Sequence, residues 1–289
     1  MRTWAMGRYR DGRVYPQWKP AGAATGRASC TSPNVQSLPK EGGFRGCIRP
    51  GEGRVLIKAD LSQIELRVLA AITEDENMLE VFRNGGDIHL NTARALAGRD
   101  VHKGDPARQK AKAVNFGLSF GMGAKKFRDM ALRDYGVEMT LAEAKEAKRK
   151  LLDVYPGIGR WHALESEECA RGNFETRTLL GRRRIVEPDY EGKPSFTERL
   201  NGPVQGTAAD ILKLALAKLW EGREEHPDAF PVLTVHDEIV IECGRAAAED
   251  TAAWLGSVMR EAVGTVLGCL ELAGQDAVEI EIVNSWGGE

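Results

Sequence analysis

Cysteine is scarce in this chain and gives no sign of pairing. Cys30, Cys47, Cys169, Cys243 and Cys269 are scattered without a C-x-x-C pair, and the five histidines show no zinc-ligand spacing. That pattern excludes a disulfide framework or a zinc ribbon and fits reduced thiols. No apolar run is long enough to span a bilayer. The opening MRTWAMGRYRDGR lacks the apolar core of a signal peptide. Internal repeats and low-complexity tracts are missing as well. Acidic residues are thin at the N-terminal end: Asp11, Glu41 and Glu52 stand against eleven Lys and Arg between Met1 and Lys58, although the formal net charge of the chain is only −2. A basic segment on a near-neutral chain points to a localised polyanion contact, although a solvated surface has the same composition. The 289 residues suffice for one large domain or two modest ones.

What is present is a sequence of recognisable elements. RVLIKAD (54–60) predicts a strand ending at Asp60. SQIELRVLAAI has helical spacing, with Ile64, Val68 and Ile72 four apart. Helical patterns continue through ENMLEVFRNG, IHLNTARALAG and PARQKAKAVNFGL. A long charged helix is expected around 140–171, interrupted near Pro156–Gly157, then a hairpin around Gly181. TERLNGPVQGTAADILKLALAKLW reads as helix. FPVLTVHDEIVIEC (230–243) follows, then a helix around 246–264 and a last strand in AVEIEIVNSW. The order predicts an α+β platform with an antiparallel sheet and a helical insertion.

His236, Asp237 and Glu238 interrupt the most strand-like segment of the chain. Asp is a common turn residue, so a hairpin accounts for Asp237. It does not account for two adjacent carboxylates, whose burial is costly unless a cation neutralises them. Asp60, at the end of a separate strand, is either a cap for the following helix or a third carboxylate. Three carboxylates from separated strands suit a hard cation such as magnesium, and two such ions suit phosphoryl transfer. Arg108, Lys112, Phe116 and Phe120 are each four apart, one stripe if helical, with Ala111, Val114 and Leu118 facing the core. Basic and then aromatic along one face fits a nucleoside triphosphate; a solvated basic turn followed by core phenylalanines would share the pattern.

DLSQIELR (60–67), RQKAKAVNFGLSFG (108–121) and VHDE (235–238) resemble motifs A, B and C of the family A DNA polymerases, the bacterial DNA polymerase I type. TGRASCTSPNVQSLP, GGDIHLNTA, LLGRRRIV and NGPVQGTAAD match in the right order, so the resemblance covers nearly the whole chain. It implies a palm in residues 1–62 and 177–289 with fingers in 63–176. It implies catalytic Asp60, Asp237 and Glu238, with two magnesium ions at Asp60, Leu61 and Asp237. Gln63, His89, Arg108 and Lys112 are expected at the triphosphate and Glu65 at the sugar 2′ position. Phe116 and Phe120 are expected near the incoming or template base. Arg27, Asn34, Gln36, Asn201, Gln205 and His236 are expected on the primer–template. The partners implied are primer–template DNA and deoxynucleoside triphosphates, in a bacterial or bacteriophage-encoded cytoplasmic enzyme.

The chain departs from the family pattern at several positions. Leu61 and Phe120 stand where Tyr is usual, Gln109 where motif B usually has a second Arg, and Thr197 where an Arg is common, with Arg199 displaced by two. Only about two dozen residues precede the TGR motif, so no thumb and no exonuclease domain are expected within it; a thumb would come from another chain or from upstream sequence. A non-catalytic DNA-binding remnant and a single-subunit RNA polymerase are the competing readings. The intact carboxylates argue against the first and Glu65 against the second.

Overall fold

The computed structural model describes residues 9–40 and 43–288; Arg2, Arg8 and Glu41 of the N-terminal charge pattern lie outside the described residues. The chain packs as two units. One comprises Met1–Ile64, Ala208–Val266 and Gln275–Glu289, the other Glu65–Thr207 and Leu267–Gly274.

The first unit is built on a four-stranded antiparallel sheet. Its strands are β5 (Arg54–Leu61), β8 (Phe230–Val235), β9 (Glu238–Gly244) and β10 (Val278–Val283), in the order β10–β5–β9–β8. Two short hairpins precede it, β1 (Tyr9–Arg10) with β2 (Arg13–Val14) and β3 (Gln17–Lys19) with β4 (Ser29–Thr31). Strand alternation gives the sheet two chemically different faces. Val55, Ile57, Ala59 and Leu61 share one face with Ile239, Ile241 and Cys243, and all seven are buried. A helix at Ala248–Leu267 lies on that side. Its Gly256 comes so close to Ile280 that a Cβ there would stand 2.4 Å from the Ile280 Cδ1. The opposite face carries Leu56, Lys58 and Asp60 in register with Glu242, Val240 and Glu238. Its apolar end packs with Cys30, Val35, Leu233, Val235, Val283 and Trp286.

Much of the N-terminal basic segment is neutralised inside this unit. Arg13 makes a two-pronged pair with the buried Glu242 at 2.8 Å per arm, and Arg54 reaches both Glu242 and Asp228. Lys58 pairs with Glu281 at 2.7 Å. The footprint left for a polyanion is therefore smaller than composition alone implies.

The second unit is mainly helical: α1 (Ile64–Thr73, entering from the first unit), α2 (Glu76–Arg83), α3 (Ile88–Ala97), α4 (Pro106–Gly117), α5 (Ala124–Tyr135), α6 (Leu141–Val154) and α7 (Pro156–Ala170). A hairpin of β6 (Glu175–Arg177) and β7 (Arg183–Ile185) follows. The 26-residue α8 (Phe196–Glu221) begins here and continues into the first unit; the Ala248–Leu267 helix is α9. The break at Tyr155–Pro156 has a local cause: proline supplies no N–H and fixes φ, so it suits the first turn of a new helix. Segment 177–207, which the resemblance groups with the C-terminal part of the palm, falls in the second unit. Arg199 contributes to this. It is 3 % exposed, its Nε and Nη2 donate to Glu165 on α7, and its Nη1 donates to the carbonyls of Asn173 and Glu175. The displaced arginine is an internal clamp.

Candidate active site

Asp60 is the penultimate residue of β5, so the reading of it as the cap of a helix that starts at Ile64 does not hold. It lies directly opposite Glu238 on β9 and Glu279 on β10, and opposed residues of an antiparallel ladder project to the same face. Three carboxylates thus line up across the sheet. Glu279 was missed in the sequence, although the alternation in VEIEIV marks its face; its register against Asp60 could not be read there. Ser62 Oγ donates to Glu279 Oε1 at 3.1 Å.

Asp237 arrives from the two-residue turn between β8 and β9. His236, exposed, holds the positive φ of +57° that such turns need at their first position. The Leu61 N–H donates to the Asp237 carbonyl at 3.1 Å, so the strand end next to Asp60 and the turn bearing Asp237 are joined through the main chain. Glu238 Oε1 accepts from Trp286 Nε1 at 2.7 Å.

The electrostatics of this face are short of positive charge. Burial and the neighbouring Asp237 and Glu238 push the Asp60 carboxyl up to about 6, with Lys40 opposing them. Burial also raises Asp237, against the Arg27 guanidinium whose Nη2 stands 3.3 Å from Oδ1. Among the described residues no three His, Cys, Asp or Glu side chains converge as a metal cage. Two carboxylates are nevertheless what magnesium commonly takes from a protein, the rest of its oxygen shell being water and substrate phosphate. Depleted compensating charge around Asp60 and Asp237 fits such an ion.

Gln63 follows at the strand-to-helix junction with φ +54°, and its buried side-chain Oε1 has no hydrogen-bond partner among the described residues. Gln36 is half-buried and directs its amide to the carbonyls of Ala28 and Thr234 at 3.3 Å each, bracing β8, whereas Asn34 is exposed.

In the helical unit, α4 carries the basic stripe. Ala111, Val114 and Leu118 are buried, as expected. The stripe runs only to Phe116, which is 38 % exposed. The helix stops at Gly117, and Phe120 lies beyond it, 5 % exposed. Gly117 is closely packed by α5: a Cβ there would stand 2.6 Å from Met130 Cε and 2.8 Å from Phe127 Cδ2. Arg108 Nη2 pairs with Asp87 at 2.6 Å, and Asp87 also caps α3 through the N–H groups of His89 and Leu90. Lys112 is half-buried and makes no hydrogen bond or ion pair among the described residues. His89 is 4 % exposed, its ring centre 5.4 Å from that of Phe116. Burial lowers its pKa to about 4. Its Nδ1 meets Asn115 Nδ2 at 2.9 Å, and Asn115 Oδ1 accepts from Thr92, which touches Tyr155. That buried polar chain also escaped the sequence reading, because its members are scattered in sequence, Thr92 and Tyr155 being 63 residues apart.

Glu65 is half-buried in the first turn of α1. Asn201 and Gln205 are half-buried one turn apart on α8, and Asn201 donates to the Thr197 carbonyl at 3.0 Å.

Comparison with known proteins gives a consistent result. A family model described as DNA polymerase family A matches residues 3–288. DNA polymerase I of Aquifex aeolicus is 37% identical over 264 residues, 89% of this chain and 44% of that protein. The thermostable DNA polymerase I of Thermus aquaticus is 37% identical over 288 residues, 96% of this chain and 33% of that protein. The chain therefore spans less than half the length of these relatives. The POL domain of Pol1 from M. smegmatis, in complex with DNA primer-template and dNTP, matches with a TM-score of 0.82 at 27% identity, over 97% of this chain and 49% of that one.

Proposed function

We propose that this chain, which belongs to DNA polymerase family A, performs template-directed DNA synthesis: a primer 3′-hydroxyl attacks the α-phosphate of a deoxynucleoside triphosphate and pyrophosphate leaves. The observation that carries the reading is the pairing of Asp60 with Asp237, both half-buried, with Asp237 raising the Asp60 pKa and the two segments tied together through the Leu61 N–H. In this reading the sheet unit is the palm and the helical unit carries the fingers. Asp60, Asp237 and the Leu61 carbonyl would hold two magnesium ions, which supply charge stabilisation at the attacking and leaving oxygens.

The chain's own residues do the rest by positioning. Lys112 has its ammonium uncommitted and grips the triphosphate, joined by Arg108 once it is shared with or released from Asp87, and by Gln63. His89, neutral because it is buried, orients the exposed face of Phe116 for the incoming nucleoside. Glu65 crowds the sugar 2′ position, and Phe120 packs towards the template base. Arg27, Asn34, Gln36, Asn201, Gln205 and His236 contact primer–template, Arg27 while also screening Asp237. No proofreading activity is assigned to these residues, and the reading places the protein in a bacterial or phage-infected cytoplasm.

Single-nucleotide extension of a primer–template with magnesium tests the proposal. Incorporation of the templated deoxynucleotide, absent in Asp237→Asn, is expected. Binding of primer–template with no incorporation would leave a DNA-binding remnant, and preference for ribonucleotides would leave an RNA polymerase.

A further inference from the structure

The C-terminal segment brings a tryptophan up behind the carboxylate row. Trp286 is 1 % exposed, and its Nε1–H donates to Glu238 Oε1 at 2.7 Å. The indole is held from several sides. Its backbone N–H donates to the Ile48 carbonyl at 2.9 Å. The Arg45 guanidinium lies 4.1 Å from the ring centre, on the face where the ring quadrupole attracts a cation. Leu56, Val235, Val240 and Val283 share its apolar cluster. The next residue, Gly287, is pressed against the 45–47 turn: a Cβ there would stand 2.8 Å from Gly46 N. A side chain this constrained has one polar atom, and that atom points at Glu238.

Indole N–H is a donor without charge. A Lys or Arg in the same place would also hold Glu238 but would cancel its charge. Trp286 restrains the carboxylate without bringing a countercharge. Glu238 is directly opposite Asp60 on the same face, and an unrestrained glutamate there would turn towards bulk water, where a carboxylate is better solvated. Resting on the polymerase reading above, we propose that Trp286 is a positioning residue for the metal site: it fixes the Glu238 carboxylate beside Asp60 and so sets how strongly the Asp60–Asp237 pair attracts a divalent cation.

The test replaces Trp286 with 3-benzothienylalanine, which keeps the fused-ring shape and loses the N–H, and adds Trp286→Phe as a genetically simple counterpart. Manganese(II) affinity of the 289-residue protein is read by electron paramagnetic resonance, and the magnesium dependence of primer extension in parallel. Loss of one hydrogen bond to a charged group should weaken metal binding about tenfold, with the dNTP KM little changed. In a Glu238→Ala background the isostere should cause no further loss, whereas a purely structural role gives the same loss in both backgrounds. A third readout needs neither metal nor activity. The indole N–H resonance of Trp286, identified among six tryptophans by its disappearance in the isostere, should move upfield in Glu238→Ala. Unchanged or tighter metal binding in the isostere, or a resonance indifferent to Glu238, overturns the proposal. If manganese affinity and the resonance respond as expected while the wild-type protein never extends a primer, the polymerase reading fails and the positioning role stands.

Discussion

Asp60 pays for the presence of Asp237. Both are half-buried, and both hold their protons more tightly than an isolated aspartate, Asp60 through burial and the neighbouring Asp237, Asp237 through burial. Asp60→Asn and Asp237→Asn should therefore separate function from stability. Extension should fall by at least about a hundredfold, as when a group that stabilises transition-state charge is removed. In EDTA the melting temperature should rise by a few degrees, on the order of 2 °C per kcal/mol for a chain of this size. Calorimetry beside a primer-extension assay checks both, and a variant that loses stability as well as activity would contradict the repulsion argument. His89 has the opposite sign. Burial takes its folded pKa to about 4, against about 6.5 when unfolded. Between those values the unfolded chain binds the extra proton. The contribution of His89 to stability is thus complete above about pH 6.5 and is lost as pH falls towards 4, on the order of 3 kcal/mol. Urea midpoints measured from pH 7.5 to 4.5 should fall, and His89→Gln should flatten that slope. At this scale the sequence singled out Asp60, Asp237 and Glu238 as candidates, because adjacent charges inside apolar strands are conspicuous. It hid Glu279 and Trp286, whose places depend on strand register and on a contact across 48 positions.

The hairpin of β8 and β9 was legible as an element, since two apolar runs with a short polar break admit few other geometries. Which turn residue takes the left-handed backbone was not. His236 does so at φ +57°, a conformation histidine tolerates better than a β-branched residue. His236→Val should cost about 1–2 kcal/mol from backbone strain, while His236→Gly should be neutral or slightly stabilising. Urea unfolding of the two variants distinguishes them; equal losses would mean that the side chain, and not the backbone, matters. Helix α4 shows the converse. Its spacing projected a stripe through Phe120, but the helix ends at Gly117, where Met130 and Phe127 of the next helix approach closely. Periodicity in sequence has no knowledge of a neighbouring helix. Gly117→Ala should cost about 1–3 kcal/mol by overpacking, seen as a lower urea midpoint.

For the molecule as a whole, composition identified a basic end, and the structure shows how little of it is uncommitted. Arg13, Arg27, Arg54 and Lys58 are in ion pairs, and Arg45 stacks on Trp286. Arg10, Lys19, Lys40 and Arg49 remain exposed. These four, with Arg27 as a fifth in the polymerase reading, give a log–log salt slope of about −4 to −5 from the described part of this segment. Primer–template binding by these 289 residues should follow such a slope, and extension under a heparin trap should yield products of one or a few nucleotides. Long trapped products would reveal a grip on DNA not accounted for by these side chains. The α+β class and the order of elements were legible from periodicity and turn chemistry. The packing of 177–207 with the helices was not, because it rests on contacts distant in sequence, such as Arg199 with Glu165 and Phe196 with His162.

The hydrogen bond from the Leu61 N–H to the Asp237 carbonyl has a further consequence. The gap between the two main-chain segments that carry the aspartates is gauged by peptide atoms that every residue type except proline shares. Most side chains on the turn and along the strand can be exchanged without removing that link. Leu61→Pro, or an ester in place of the Leu61 amide, is the kind of edit that would reach it.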